Sequence, residues 1–208
     1  MSTITERIKA AVEDGRAQSP RFKQRQLAAL HEALKQNQTL ITTAVEKDTR
    51  CSKAEANIQY YLTLDAVKSF NDKLDFNKLL EDEYSIAHLK DNPDRRSAIG
   101  CVSIIPDSQS LLYSGVVPTA AAIAAGNCVV LEIKQTLSEL STILRNILAS
   151  ALDSDTFGVV DNDILDQDFK LKHCSVSIAQ SSATKAWLPW SIVAAMSRKQ
   201  RRSWSQRE

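Results

Sequence analysis

The sequence predicts an α/β protein in which N-terminal helices are followed by a partial Rossmann-like parallel sheet. Three observations carry that expectation. Apolar residues recur at helical spacing from residue 4 to about residue 81. Short continuous apolar runs follow: Ile99-Gly100-Cys101-Val102-Ser103-Ile104-Ile105, closed by Pro106, then Cys128-Val129-Val130-Leu131, Phe157-Gly158-Val159-Val160 and Cys174-Ser175-Val176-Ser177-Ile178. Each has the length and character of a buried strand. Helical patterns separate the first three runs, and a β-α-β-α-β alternation implies parallel strands joined by right-handed crossovers.

In chain order, residues 3–17 read as a short amphipathic helix with Ile4, Ile8, Ala11 and Val12 on one face. Ser19-Pro20 starts the next helical segment, with proline at the first helical position, and Leu27, Leu30, Leu34, Ile41 and Val45 carry it to about residue 48. Residues 53–81 form another helical stretch with Ile58, Leu62, Val67 and Leu74, and Asp91-Asn92-Pro93-Asp94 is a turn cluster. After the first strand, an alanine-rich helix runs through Pro118 and Ala125 and stops at Gly126-Asn127, a helix C-terminal glycine signal. Residues 136–151 form a further helix with Leu140, Ile143, Leu144, Ile147 and Leu148, and residues 166–171 read as a helical turn or two. Three regions result: a helical region over 1–98, the partial Rossmann-like unit over 99–183, and a divergent tail over 184–208. That tail holds all three tryptophans and the basic cluster Arg198-Lys199-Gln200-Arg201-Arg202. It reads as an extension from truncation or a shifted frame, as a partner-binding segment, or as a membrane-surface segment too short to span.

A net charge of +1 gives no field that favours nucleic acid or membrane. No stretch reaches the roughly 18 apolar residues of a membrane span. Residues 1–15 lack the apolar core of a signal peptide. Cys51, Cys101, Cys128 and Cys174 are far apart without a CxxC pair, so reduced thiols in a cytoplasmic protein are expected rather than a disulfide framework or a zinc site. His31, His88 and His173 are isolated, and no metal is expected. Asp161, Asp163, Asp166 and Asp168 lack the glycine and terminal glutamate of a calcium loop and read as solvated surface. The five glycines assemble neither GxGxxG nor GxxxxGK[ST], which leaves a plain helix N-terminus as the remaining route to phosphate binding.

The stretch from Gly100-Cys101-Val102-Ser103-Ile104-Ile105-Pro106 to Ala124-Ala125-Gly126-Asn127-Cys128-Val129-Val130-Leu131 resembles the aldehyde dehydrogenase family. There a strand, a Pro-Trp-Asn-aromatic-Pro turn, a helix ending in Ala-Ala-Gly-Asn and a Val-Val-Leu-Lys-Pro strand follow one another. Residues 21–56 are similar to the family's long first helix and the loop after it. Residues 173–182 sit where the family has a Phe-Thr-Gly-Ser strand end. The resemblance covers roughly residues 5–183 and implies an oxidoreductase family, an NAD or NADP cofactor, and Ile105, Pro106, Glu132, Gln135 and Ser182 as cofactor-binding positions.

The departures shape the expected function. The family's oxyanion asparagine falls on Gln109 or Ser108 within Pro106-Asp107-Ser108-Gln109-Ser110. Such a donor contributes on the order of 3 kcal/mol. The lysine that contacts the adenosine ribose becomes Glu132, which accepts ribose hydroxyls and repels a 2′-phosphate. Lys134 stands two positions late, and the family's Gly-Ser pair becomes Ser181-Ser182. Neither a Gly-Gln-x-Cys nucleophile nor a Glu-Leu-Gly-Gly base occurs, so the expectation is a truncated pseudoenzyme that does not oxidise aldehydes by itself. The alternative is a non-catalytic module that holds a dinucleotide or pairs with a full-length relative or a second copy, with neither nucleic acid nor a membrane span as partner.

Overall fold

The computed structural model describes residues 4–88, 98–134, 138–161 and 174–177. Five helices come first: α1 (Ile4–Glu13), α2 (Pro20–Gln36), α3 (Gln38–Thr49), α4 (Lys53–Asp72) and α5 (Phe76–Ala87), with a 3₁₀ turn at Arg16–Gln18. Then β1 (Cys101–Ile105), α6 (Leu111–Ala124), β2 (Cys128–Glu132), α7 (Glu139–Ala151), β3 (Phe157–Val160) and β4 (Cys174–Ser177) follow. The strands form one parallel sheet in the order β3-β2-β1-β4. The fold is α/β, a helical N-terminal region on a partial Rossmann-like sheet, as the alternation of patterns predicts.

Side-chain alternation along the strands divides the core. Val102, Ile104, Val129, Leu131 and Phe157 face one side and join Leu27, Leu30 and Leu34 of α2, Tyr60 and Val67 of α4, Leu112 and Val116 of α6, and Leu144 and Leu148 of α7. Cys101, Cys128, Val130 and Val160 face the other side, where Ile8 and Ala11 of α1 cover them together with Ala17 and Phe22. Burying each of the valine, leucine, isoleucine and phenylalanine side chains among them contributes about 1.5–3 kcal/mol. The α1 layer sits close because Gly158 has no side chain: a Cβ there would lie 2.5 Å from Ile4 Cγ2. The expected α1 face of Ile4, Ile8, Ala11 and Val12 is the one that packs.

The Ala-Ala-Gly-Asn turn has a physical explanation. Gly126 takes φ +84° to end α6, and a Cβ there would meet Lys23 Cε at 2.8 Å. Asn127 is buried, and its Oδ1 accepts from the backbone N–H groups of Ile99 at 2.7 Å and Gly100 at 3.1 Å. That side chain ties the entry of β1 to the exit of α6.

Three expectations need correction. The segment read as one helix to residue 48 is two, because Asn37 at φ −104° ends α2 and its side-chain amide donates back to the Ala33 carbonyl. The stretch over 53–81 also breaks, and Asp75 Oδ1 accepts from the N–H groups of Asn77 and Lys78 to start α5. Within α4 the inward face is Ala56, Tyr60, Thr63 and Val67, whereas Ile58 and Leu62 are 59% and 56% exposed. Tyr60 wins the core position because its hydroxyl donates to the Leu34 carbonyl at 3.1 Å, so burial leaves no polar group unsatisfied. The turn cluster at 91–94, the acidic positions Asp163, Asp166 and Asp168, the helical turn at 166–171, His173 and the tail over 184–208 lie outside the described residues.

Candidate functional site

The connections β1-α6-β2 and β2-α7-β3 step the sheet in one direction, whereas β4 pairs with β1 on the side away from β2. The strand order therefore reverses between β1 and β4. In open α/β sheets the crevice outside the carboxyl ends of the strands at such a reversal is where ligands bind. Here that end is built from Ile105, paired in register with Ser177, and from the loop that leaves β1. Ile105, Pro106 and Asp107 are partly buried, whereas Ser108 and Gln109 are exposed. Ser114 fastens this loop to α6: its Oγ accepts from the Asp107 N–H at 3.0 Å and donates to the Ser110 carbonyl at 2.8 Å. Ser110, the residue before α6, supplies no side-chain cap to the helix. Two of the expected cofactor positions, Ile105 and Pro106, thus stand at the carboxyl end of β1 where the strand order reverses, and both alternatives for the oxyanion donor, Ser108 and Gln109, are exposed in the loop that follows.

Glu132 is placed differently from a surface contact. It ends β2 on the α1 side of the sheet, is 1% exposed, and accepts a hydrogen bond from the buried Ser103 hydroxyl. Its carboxylate is directed across the sheet to β1. Lys134, two residues on, is the exposed group past the end of β2. Gln135, Ser181 and Ser182 lie outside the described residues.

The N-terminus of α7, a second place where an anion would be stabilised, already holds one. Asp48 of α3 accepts from the Leu140 N–H at 2.9 Å, the Glu139 N–H at 3.3 Å and the Ser138 hydroxyl at 2.5 Å. The carboxylate satisfies orphan donors and the helix dipole together. Sequence reading missed it because its partners are 90 to 92 residues away.

The buried thiols of Cys101 and Cys128 are poor nucleophiles. Burial, with a smaller effect of neighbouring Cys128, pushes Cys101 up to about 12. Burial, followed by the charge of Asp153, pushes Cys128 up to about 11. The two face each other in register across β1 and β2. Cys51 is partly buried. Among the described residues no group of three or more His, Cys, Asp or Glu side chains is placed to hold a metal. No helix among them is long and apolar enough to cross a membrane.

No protein-family model matches the chain. It is similar to aldehyde dehydrogenase family 3 member B1 of Mus musculus, at 28% identity over 163 residues, which is 74% of this chain and 34% of that protein. The Homo sapiens protein of the same description is 29% identical over 161 residues, with the same coverage. The chain therefore spans about a third of the length of these curated relatives. Among solved structures, the substrate-bound AldH of Staphylococcus aureus superposes with a TM-score of 0.61 at 20% identity, over 79% of this chain and 37% of that one. Aldehyde dehydrogenase C of Pseudomonas syringae, complexed with NAD+ and octanal, gives 0.59 at 21% identity, over 76% and 32%. Succinic semialdehyde dehydrogenase of Streptococcus pyogenes, complexed with NADP+, gives 0.59 at 13% identity, over 80% and 36%.

Proposed function

We propose that this chain, related to the aldehyde dehydrogenases in sequence and sharing their fold over three-quarters of its length, forms a dinucleotide-side module of that fold and does not oxidise aldehydes by itself. The observation that carries the reading is the reversal of strand order between β1 and β4, with Ile105 and Pro106 at its carboxyl end. The crevice end fits a dinucleotide: it is formed by an apolar strand end and a proline-fixed loop held by Ser114. Glu132 does not fit as a ribose contact, because its carboxylate is buried against Ser103, and Lys134 takes its place in this proposal. Lys134 attracts the phosphates that Asp107 repels. A bound NAD or NADP would supply a hydride acceptor.

Aldehyde oxidation of the family type needs an activated thiol, and Cys101 and Cys128 are held neutral inside the sheet. A pseudoenzyme in a reducing cytoplasm is the corresponding biological setting. Incubating the pure chain with NAD and an aldehyde is expected to give no NADH, while hydrogen exchange with NAD alone is expected to slow at residues 104–110. Aldehyde-dependent NADH formation would overturn the first half of the proposal, and unchanged exchange at 104–110 the second.

A second reading, association with a full-length relative or a second copy, draws on α4. Ile58, Tyr61 and Leu62 lie at i, i+3 and i+4 and are all more than half exposed. Sedimentation of the chain alone and with a full-length relative distinguishes the two partners, and a monomer in both removes this reading.

A further inference from the structure

A cavity of about 300 Å³ opens between α1, α7 and β3. It lies at the opposite end of the sheet from the β1/β4 crevice, with β2 and β1 between them, roughly 12 Å away at ordinary strand spacing. Its size is that of a small-ligand pocket. The walls combine two kinds of surface. Ile4, Leu152, Phe157 and Val159 supply an apolar side, and among the described residues the charged groups on the lining are the guanidiniums of Arg7 and Arg145.

The two arginines differ in how they are satisfied. Arg145 donates to the Asp161 carboxylate and to the Ile133 carbonyl. Arg7 has a buried Nε with no hydrogen-bond partner, and no ion pair involving it occurs among the described residues. An N–H of a charged group taken from water without an acceptor is costly, and native proteins rarely tolerate it. Arg7 is one of the residues that line the cavity, but its Nε atom is itself closed off by protein, so an acceptor in the cavity meets the end of the guanidinium. The guanidinium fork matches the two oxygens of a carboxylate, and the apolar wall beside it matches a short hydrocarbon body.

We propose that this cavity binds a short aliphatic monocarboxylate, with Arg7 gripping the carboxylate and Leu152, Phe157 and Val159 covering the alkyl chain, while Arg145 stays paired with Asp161. A free phosphate would meet the arginines and leave those walls wet. An aliphatic alcohol would fill the walls and leave Arg7 unpaired. The site is independent of the dinucleotide crevice.

The test is calorimetric titration of the full 208-residue chain with hexanoate, hexanol and inorganic phosphate. Hexanoate is expected to bind saturably and at least tenfold more tightly than either of the others. Arg7→Gln is expected to weaken hexanoate at least tenfold, about 1.4 kcal/mol, without altering the response to NAD. Ala149→Trp, which fills the cavity and keeps Arg7, is expected to abolish hexanoate binding, with circular dichroism confirming that both variants are folded. Absence of saturable hexanoate binding would overturn the proposal. So would equal affinity for hexanol or phosphate, or hexanoate affinity unchanged in Arg7→Gln or Ala149→Trp.

Discussion

Alkylation of Cys101 and Cys128 reads the chemistry of the sheet interior directly. Cys101 stands at about 12 against an ordinary thiol value of 9.0, so at any pH below 9 it carries roughly a thousandth of the thiolate of an unperturbed cysteine. Cys128, at about 11, carries roughly a hundredth. Thiolate is the reacting species, and burial also excludes the reagent, so these factors are lower limits on protection. The assay is iodoacetamide at about pH 8, quenched over time and mapped by peptide mass spectrometry, on the folded chain and on the chain in urea. The folded-to-unfolded rate ratio is expected to be at most about a thousandth for Cys101 and a hundredth for Cys128. Alkylation of Cys101 within about tenfold of its unfolded rate, in a chain whose circular dichroism is intact, would refute the reasoning and return a strand thiol to the list of nucleophiles.

The remaining expectations concern stability. Both thiols have folded values above the unfolded value of 9.0, so the unfolded chain releases these protons first. Their contribution is flat below about pH 9 and falls by roughly 1.4 kcal/mol per pH unit for each thiol as pH rises towards 11 and 12; urea midpoints against pH, with Cys128→Ala removing one share, check this. Gly158→Ala places a methyl 2.5 Å from Ile4 Cγ2 and is expected to cost about 1–3 kcal/mol. Shortening the partner in Gly158→Ala/Ile4→Ala should recover part of that in a double-mutant cycle. Asp48→Ala removes the acceptor of the Glu139 and Leu140 N–H groups at the start of α7, while the Ser138 hydroxyl still accepts from Ser141, and is expected to cost about 1 kcal/mol in urea melts, with no change in the response to NAD.

The strands were legible because parallel strands covered on both faces are written as continuous apolar runs, and the runs at 101–105, 128–132 and 157–160 are buried almost throughout. Ile58 and Leu62 are more apolar than Tyr60 and Thr63, so hydrophobic periodicity alone points to the wrong face of α4. Tyr60 is buried because an acceptor on α2, the Leu34 carbonyl, waits for its hydroxyl, which no local pattern shows; Thr63 satisfies its hydroxyl within α4, on the Gln59 carbonyl. The breaks at Asn37 and near Asp75 were likewise hidden, since both are made by side chains bonding to backbone rather than by glycine or proline.

At the candidate site, Ile105 and Pro106 were legible from the strand end, but the crevice itself depends on β4 lying beside β1, a pairing across some 70 residues that periodicity does not encode. Glu132 was read by position along the chain. Its burial follows from strand alternation, which turns residue 132 to the side of Cys128 and Val130, and Ser103 on β1 meets it there.

Dinucleotide binding is the center of the account, and a thermal melt of the full chain with and without NAD at about 100 times its dissociation constant tests it most directly. Binding to the folded state alone adds about 2.7 kcal/mol, which for a chain of this size moves the midpoint up by roughly 5–10 °C. A cooperative melt that rises by that amount is the predicted result. A cooperative melt that stays in place at saturating NAD and NADP would contradict the account.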